Sequence, residues 1–234
     1  MLAYLIIAVA LSLVYFFSET FFHHLKRIEV KLVSFSAGLF ITSIFLVMLP
    51  VLIKSSFSKG MNSFFIALWG FVILHIFEKY TSQYSKKEAE YQKNLLKLRV
   101  LSLIINNLML GYALLFFFVA KTSTLGYLLL LPLIIHLFSS AVISEEAHKI
   151  LQSTITGKII ASCTVFVGAL LAIILSPFPH IMIYIFSFAL GVFIYVIVRD
   201  VIPSERRGDV FYFIYGIITF FLILGVSEII FAFL

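Results

Sequence analysis

Long, uninterrupted apolar runs constrain this chain more than any other feature. Eight stretches reach the length needed to cross a bilayer, at about 2–22, 32–53, 62–78, 100–120, 125–144, 159–176, 180–202 and 210–233. Inside lipid every backbone N–H and C=O must find a partner within the protein, which leaves only helices and closed barrels. No segment alternates with period two, as barrel strands do. The sequence therefore predicts an all-α integral membrane protein, with eight transmembrane helices in a single domain over 1–234. The first run has no basic n-region and no A-x-A cleavage signal, and it is longer than a signal-peptide core. It reads as a retained spanning helix.

Composition excludes the soluble alternative. The chain is 62% hydrophobic and 12% charged, with a mean hydropathy of +1.15, whereas soluble domains run at about 45–50% apolar and about 25% charged. A lone Cys163 excludes a disulfide framework and a Cys/His finger, and reads as a small core hydrophobe. There is no Walker A loop, no H-E-x-x-H and no nucleophile–base pattern. The chain is expected to be neither an ATP motor nor an enzyme, and to need no resident cofactor.

The net charge of +6 is explained by where it sits. Of 17 Lys and Arg, only Lys54, Lys59 and Lys121 fall on one set of loops, and the rest share the other set. The positive-inside rule makes the rich set cytoplasmic and both termini extracytoplasmic. This charge serves topology and lipid headgroups, not nucleic acid. The long basic segment at 79–99, with Tyr80, Tyr84 and Tyr91, reads as a helical extension at the membrane surface in the cytoplasmic loop.

Two runs echo one another. Gly38-Leu39-Phe40-Ile41 is followed by Pro50, and Gly191-Val192-Phe193-Ile194 by Pro203, with the same glycine-to-proline spacing. Phe35-Ser36 and Phe186-Ser187 precede the two glycines. The second and seventh runs cross in opposite senses, so the echo predicts an inverted repeat: runs 1–3 against 6–8, with 4 and 5 between. Secondary transporters are often built this way. Two similar packing helices, with glycine allowing close approach, are the plainer reading.

The seventh run, "FSFALGVFIYVIVRDVIPSE", resembles the penultimate helix of the ZIP family of divalent-metal transporters through Gly191, Phe193, Tyr195, Val196, Asp200, Pro203 and Glu205. The second run, "FSAGLFITSIFLVMLP", and the end of the third, "GFVILHIFEK", are similar to the family's corresponding helices. The resemblance implies a 3+2+3 inverted-repeat bundle that moves zinc or a similar cation toward the cytoplasm. It also implies a plasma-membrane location and a homodimer. It places the metal site on the fourth and fifth helices. Aligned on Gly111, Asn106 takes the position of a family histidine, Asn107 matches the family asparagine, and Leu110 replaces a carboxylate. On the fifth helix His136 matches the histidine, Leu137 replaces an acid, Ser139 stands at the proline and Ser140 at the next ligand. Val47 and Val51 stand where the second helix of the family carries a histidine and an acid.

The implied ligand set is therefore Asn106, Asn107, His136 and Ser140, with no carboxylate. Zinc prefers Cys, His and carboxylate, and a dication in low dielectric needs counter-charge. Two readings of these four residues stand. They form an altered permeation site, or they are interhelical hydrogen-bonding residues of the kind common in lipid. Glu19 with His23, His75 with Glu78, and Glu145, Glu146 and His148 fall at the predicted cytoplasmic ends and are candidates for an inner relay; interfacial solvation is the plainer account of each. The functional expectation is a divalent-cation transporter partnered by lipid and metal. A transport-inactive ZIP-like scaffold or regulator is the alternative.

Overall fold

The computed structural model describes residues 2–25, 28–59, 62–84, 88–143, 155–201 and 208–232. Among them every regular element is a helix. In chain order these are α1 (Leu2–Leu25), α2 (Glu29–Ser43), α3 (Leu49–Lys59), α4 (Asn62–Tyr84), α5 (Glu88–Val119), α6 (Ser123–Ile143), α7 (Ile155–Ile174), α8 (Pro179–Val196) and α9 (Val210–Ala232). Two π-turns interrupt the pattern. Ile44–Met48 joins α2 to α3 in one continuous helix, and Ile197–Val201 extends α8.

Among the described residues six helices are long and apolar enough to cross a membrane: Glu29–Lys54, Asn62–Thr81, Tyr91–Val119, Ser123–Ser140, Pro179–Arg199 and Val210–Ser227. The two other expected spans correspond to α1 and α7, which contain the apolar stretches Tyr4–Ser18 and Ile159–Ile174 among the described residues. The segment at 79–99 is largely helix: α4 continues to Tyr84, and α5 starts at Glu88 and runs unbroken into its spanning portion. The helical character expected there is present in the described residues, as extensions of two apolar helices.

Local chemistry sets the helix ends. Asp209 caps α9, its Oδ1 accepting the N–H groups of Phe211 at 3.1 Å and Tyr212 at 3.3 Å. Pro179 opens α8 at a position where a missing N–H removes no bond. Between α5 and α6, Lys121 takes a left-handed backbone with φ 60. There Thr122 Oγ1 donates to the Phe117 carbonyl at 2.9 Å and closes a tight hairpin.

Each π-turn has a proline two residues beyond it, Pro50 after Met48 and Pro203 after Val201. Proline lacks an N–H and its ring crowds the carbonyl four residues back. For Pro50 that carbonyl belongs to Leu46, inside the π-turn, where the wider winding makes room.

Glycines set the packing. Without a hydrophobic drive between helices in lipid, close backbone approach supplies much of the attraction. A Cβ at Gly38 on α2 would overlap the Phe213 carbonyl on α9, and one at Gly216 on α9 would overlap the Phe35 carbonyl. Gly191 on α8 sits against the Ala67 carbonyl of α4, and Gly70 on α4 against the Phe188 carbonyl. Gly111 on α5 sits against the Val165 carbonyl of α7, and Gly168 on α7 against the Leu108 carbonyl. In all three crossings each glycine abuts the residue three before its partner glycine. Three helix pairs are thus locked by one local geometry.

The core lies where α2, α5, α6 and α8 meet, with α2 against α6, α6 against α5 and α5 against α8. Tyr112, Phe117, Phe40, Phe186 and Phe193 are fully buried in it. By contrast α4 and α9 are mostly exposed. They present Phe64, Phe65, Leu68 and Trp69, and Phe211, Phe221 and Leu222, outward. Apolar faces of this extent suit a lipid surround.

Candidate functional site

The hairpin of α5 and α6 brings the implied ligands to one depth. Asn106 lies 13 residues before the end of α5 at Val119, and His136 lies 13 residues after the start of α6 at Ser123. At the α-helical rise both stand about 20 Å from their shared turn. Asn107 and His136 have no exposed surface, and Asn106 and Ser140 almost none.

Their hydrogen bonding divides them. Ser140 Oγ donates to the carbonyl of Leu137 on its own helix at 2.8 Å. Among the described residues, both side-chain polar atoms of Asn106, both of Asn107 and both imidazole nitrogens of His136 have no hydrogen-bond partner. Interhelical glue would show these groups bonded across helices. Here that work is done by other residues. Ser36 on α2 and Ser139 on α6 share a hydrogen bond at 2.6 Å, and Tyr112 on α5 donates to the Met182 carbonyl on α8 at 2.8 Å.

His136 has an aromatic partner instead. The Phe40 ring of α2 stacks on the imidazole at 3.8 Å between centroids and 17° between planes. Phe40 in turn meets Phe193 of α8 edge-on at 5.4 Å. Neither phenylalanine stands out as a site residue in the sequence. The signal available was positional, since each follows its glycine, Gly38 or Gly191, by two residues.

The set can offer two amide oxygens and one imidazole nitrogen to a cation, all neutral. Among the described residues no three His, Cys, Asp or Glu side chains gather into a cluster that could hold a metal. A cation here would be held by dipoles and one good nitrogen donor, which suits transient occupancy better than tight capture.

The relay candidates are placed unevenly. Glu19 and His23 fall on α1, but their side chains lie outside the described residues, as do Glu145, Glu146 and His148 altogether. His75 is exposed on α4, its ring 6.0 Å from that of Phe71. Glu78 is engaged across the α4–α8 pair: Tyr195 donates its hydroxyl hydrogen to Glu78 Oε2 at 2.6 Å. Arg199 donates to the Tyr195 oxygen at 3.3 Å and lies 5.3 Å from the centre of its ring. The structure thus joins Glu78 to Tyr195 and Arg199, a grouping that separation along the chain hides. An apolar cavity of about 430 Å³ between α6 and α9, lined by Tyr127, Leu128, Leu222 and Ile223 among others, shares no residue with either group.

No protein-family model matches the chain, and no curated protein matches it.

Proposed function

We propose that this chain is a ZIP-like membrane transporter that moves divalent metal cations, zinc or a similar ion, toward the cytoplasm through Asn106, Asn107 and His136. The observation that carries the reading is the set of six buried polar atoms on these three side chains that no group among the described residues satisfies. An unpaired buried polar group costs about 1–3 kcal/mol. Retaining three such side chains within spanning helices is intelligible when a passing polar cargo uses them.

The expected eight-span, 3+2+3 inverted repeat has support of its own. The crossing of α2 with α9 through Gly38 and Gly216 has a counterpart in that of α8 with α4 through Gly191 and Gly70, with matching offsets. Each π-turn begins six residues after its glycine, Ile44 after Gly38 and Ile197 after Gly191. The contact of α2 with α6 is likewise mirrored by that of α8 with α5. A two-fold relation exchanging runs 1–3 with 6–8, and run 4 with run 5, produces all of these pairs. Inverted repeats of this kind support alternating access around a fixed site. Within this reading the basic loops face the cytoplasm and both termini face outward.

One observation favours the second reading, a transport-inactive relative acting as scaffold or regulator. The three unpartnered side chains bring no negative charge, and Leu110 and Leu137, where the family resemblance implies acids, are buried leucines. Flux into proteoliposomes with a panel of divalent ions separates the two. The transporter reading expects uptake of at least one ion, abolished by Asn107→Ala combined with His136→Ala. No uptake of any divalent ion by the native chain sinks it in favour of the scaffold.

A further inference from the structure

The four helices around the candidate site form a ring in cross-section. Three of its sides are helix contacts: α2 with α6, α6 with α5, and α5 with α8. At the level of His136 the fourth side, between α2 and α8, is made by Phe40 against Phe193, 5.4 Å apart and inclined at 68°. Both rings are fully buried, and Phe40 also covers one face of the imidazole. Four residues beyond each phenylalanine its helix enters a π-turn. Such turns recur at functional sites, where the widened winding breaks the regular hydrogen-bond ladder.

We propose that Phe40 and Phe193 form an aromatic latch that closes this fourth side, so that a cargo reaches His136 and Asn107 only when the two rings part. Phe40 is the access-determining residue of the pair, because it alone also stacks on the imidazole. Their edge-to-face contact holds the closed state. The identity of the cargo rests on the transporter reading above; the latch itself rests on ring geometry.

Thiol labelling tests the latch without any transport. The single native thiol, Cys163, is exposed and is first replaced by serine. Asn107→Cys then reports access to the site, read as its rate of reaction with a small cationic methanethiosulfonate added to the purified protein in nanodiscs. With both rings present the rate is slow. Losing an aromatic contact of this kind shifts an opening equilibrium by up to about tenfold, so Phe40→Ala and Phe193→Ala are each expected to speed labelling by about that factor. Phe40→Leu, which keeps apolar volume, is expected to give a smaller rise in the same direction and serves if the alanine variant does not fold. Phe186→Ala removes another fully buried ring of α8, stacked on Phe116 at 4.4 Å, and is expected to leave the rate near the starting value. An unchanged rate in Phe40→Ala, or in Phe40→Leu where only that variant folds, overturns the latch. So does an equal rise in Phe186→Ala, which signals general loosening. Failure of metal flux with labelling as expected removes the cargo assignment and leaves the latch standing.

Discussion

Replacing Asn107 by leucine is expected to make this protein more stable while removing its function. The amide has two lone pairs and two N–H groups to satisfy, is fully buried, and has no partner at either polar atom among the described residues. Removing an unpaired buried amide recovers about 1–3 kcal/mol. Leucine is of similar size, and the change of shape returns up to about 1.5 kcal/mol. The net is a gain of roughly 1 kcal/mol, which for a chain of this length raises the melting midpoint by about 2–4 °C. His136→Phe follows the same logic, because it keeps the stack on Phe40 and discards two unpartnered nitrogens. Ser139→Ala is the opposite case. It breaks the 2.6 Å bond to Ser36 and leaves a buried hydroxyl behind, with a loss of about 1 kcal/mol. The assay is thermal unfolding of the purified variants in one detergent, followed by intrinsic fluorescence, with metal flux measured in parallel. Should Asn107→Leu and His136→Phe melt as low as Ser139→Ala, the amides and imidazole are packing groups and the reasoning that assigns them to a cargo fails.

Two further predictions concern packing. Gly111→Ala and Gly168→Ala each drive a Cβ into a carbonyl of the facing helix, so each is expected to cost about 3 kcal/mol, the upper part of the range for overpacking; Gly225→Ala, with open space around it, is expected to gain up to about 1 kcal/mol from helix propensity. Equal melting of all three variants would contradict the glycine-locked crossings. Because Gly111 and Gly168 share one interface, their double variant should lose less than the sum of the two, whereas Gly111→Ala with Gly38→Ala, on separate interfaces, should be additive. Tyr195→Phe removes the 2.6 Å bond to Glu78 that ties α8 to α4, and is expected to cost about 1.5 kcal/mol, with Glu78→Gln costing less; a melting curve unchanged in Tyr195→Phe refutes it.

What the sequence discloses and what it conceals follow from the range of the interactions involved. Apolar run length is local, so the helices are legible, six of them among the described residues long and apolar enough to span, down to the boundaries of α8 and α9. The segment at 79–99 is rich in Lys, Glu and Leu, good helix formers, and its helical character is also legible. Its continuity with the spanning part of α5 depends on packing and is not. The recurrence of glycine and proline in the second and seventh runs is visible as spacing. That a π-turn lies ahead of Pro50 is a three-dimensional matter of room for a crowded carbonyl, and hydropathy carries no trace of it. The site is half legible for the same reason. Asn106, Asn107 and His136 stand out as polar residues in apolar runs, while Phe40 looks like any of the chain's 27 phenylalanines until it is found stacked on an imidazole 96 positions away. The bond between Glu78 and Tyr195 spans 117 positions and is equally invisible along the chain.

The π-turn at Ile44–Met48 also changes how this helix must be indexed. A turn of this kind holds one residue more than the α-helical winding on either side of it. Counting faces from α2 into α3 at a uniform 100° per residue therefore misassigns every position after the turn. Ile44, Val47, Met48 and Leu52 face inward, while Phe45, Leu46 and Pro50 do not. Winding the same residues as ordinary α-helix would rotate Pro50 and all of α3 by about 100° and push them on by about 1.5 Å, whereas deleting one residue from the turn would leave their facing nearly unchanged. The extra residue is thus a stored length of chain, and it sets which side of α3 meets the protein and which meets lipid.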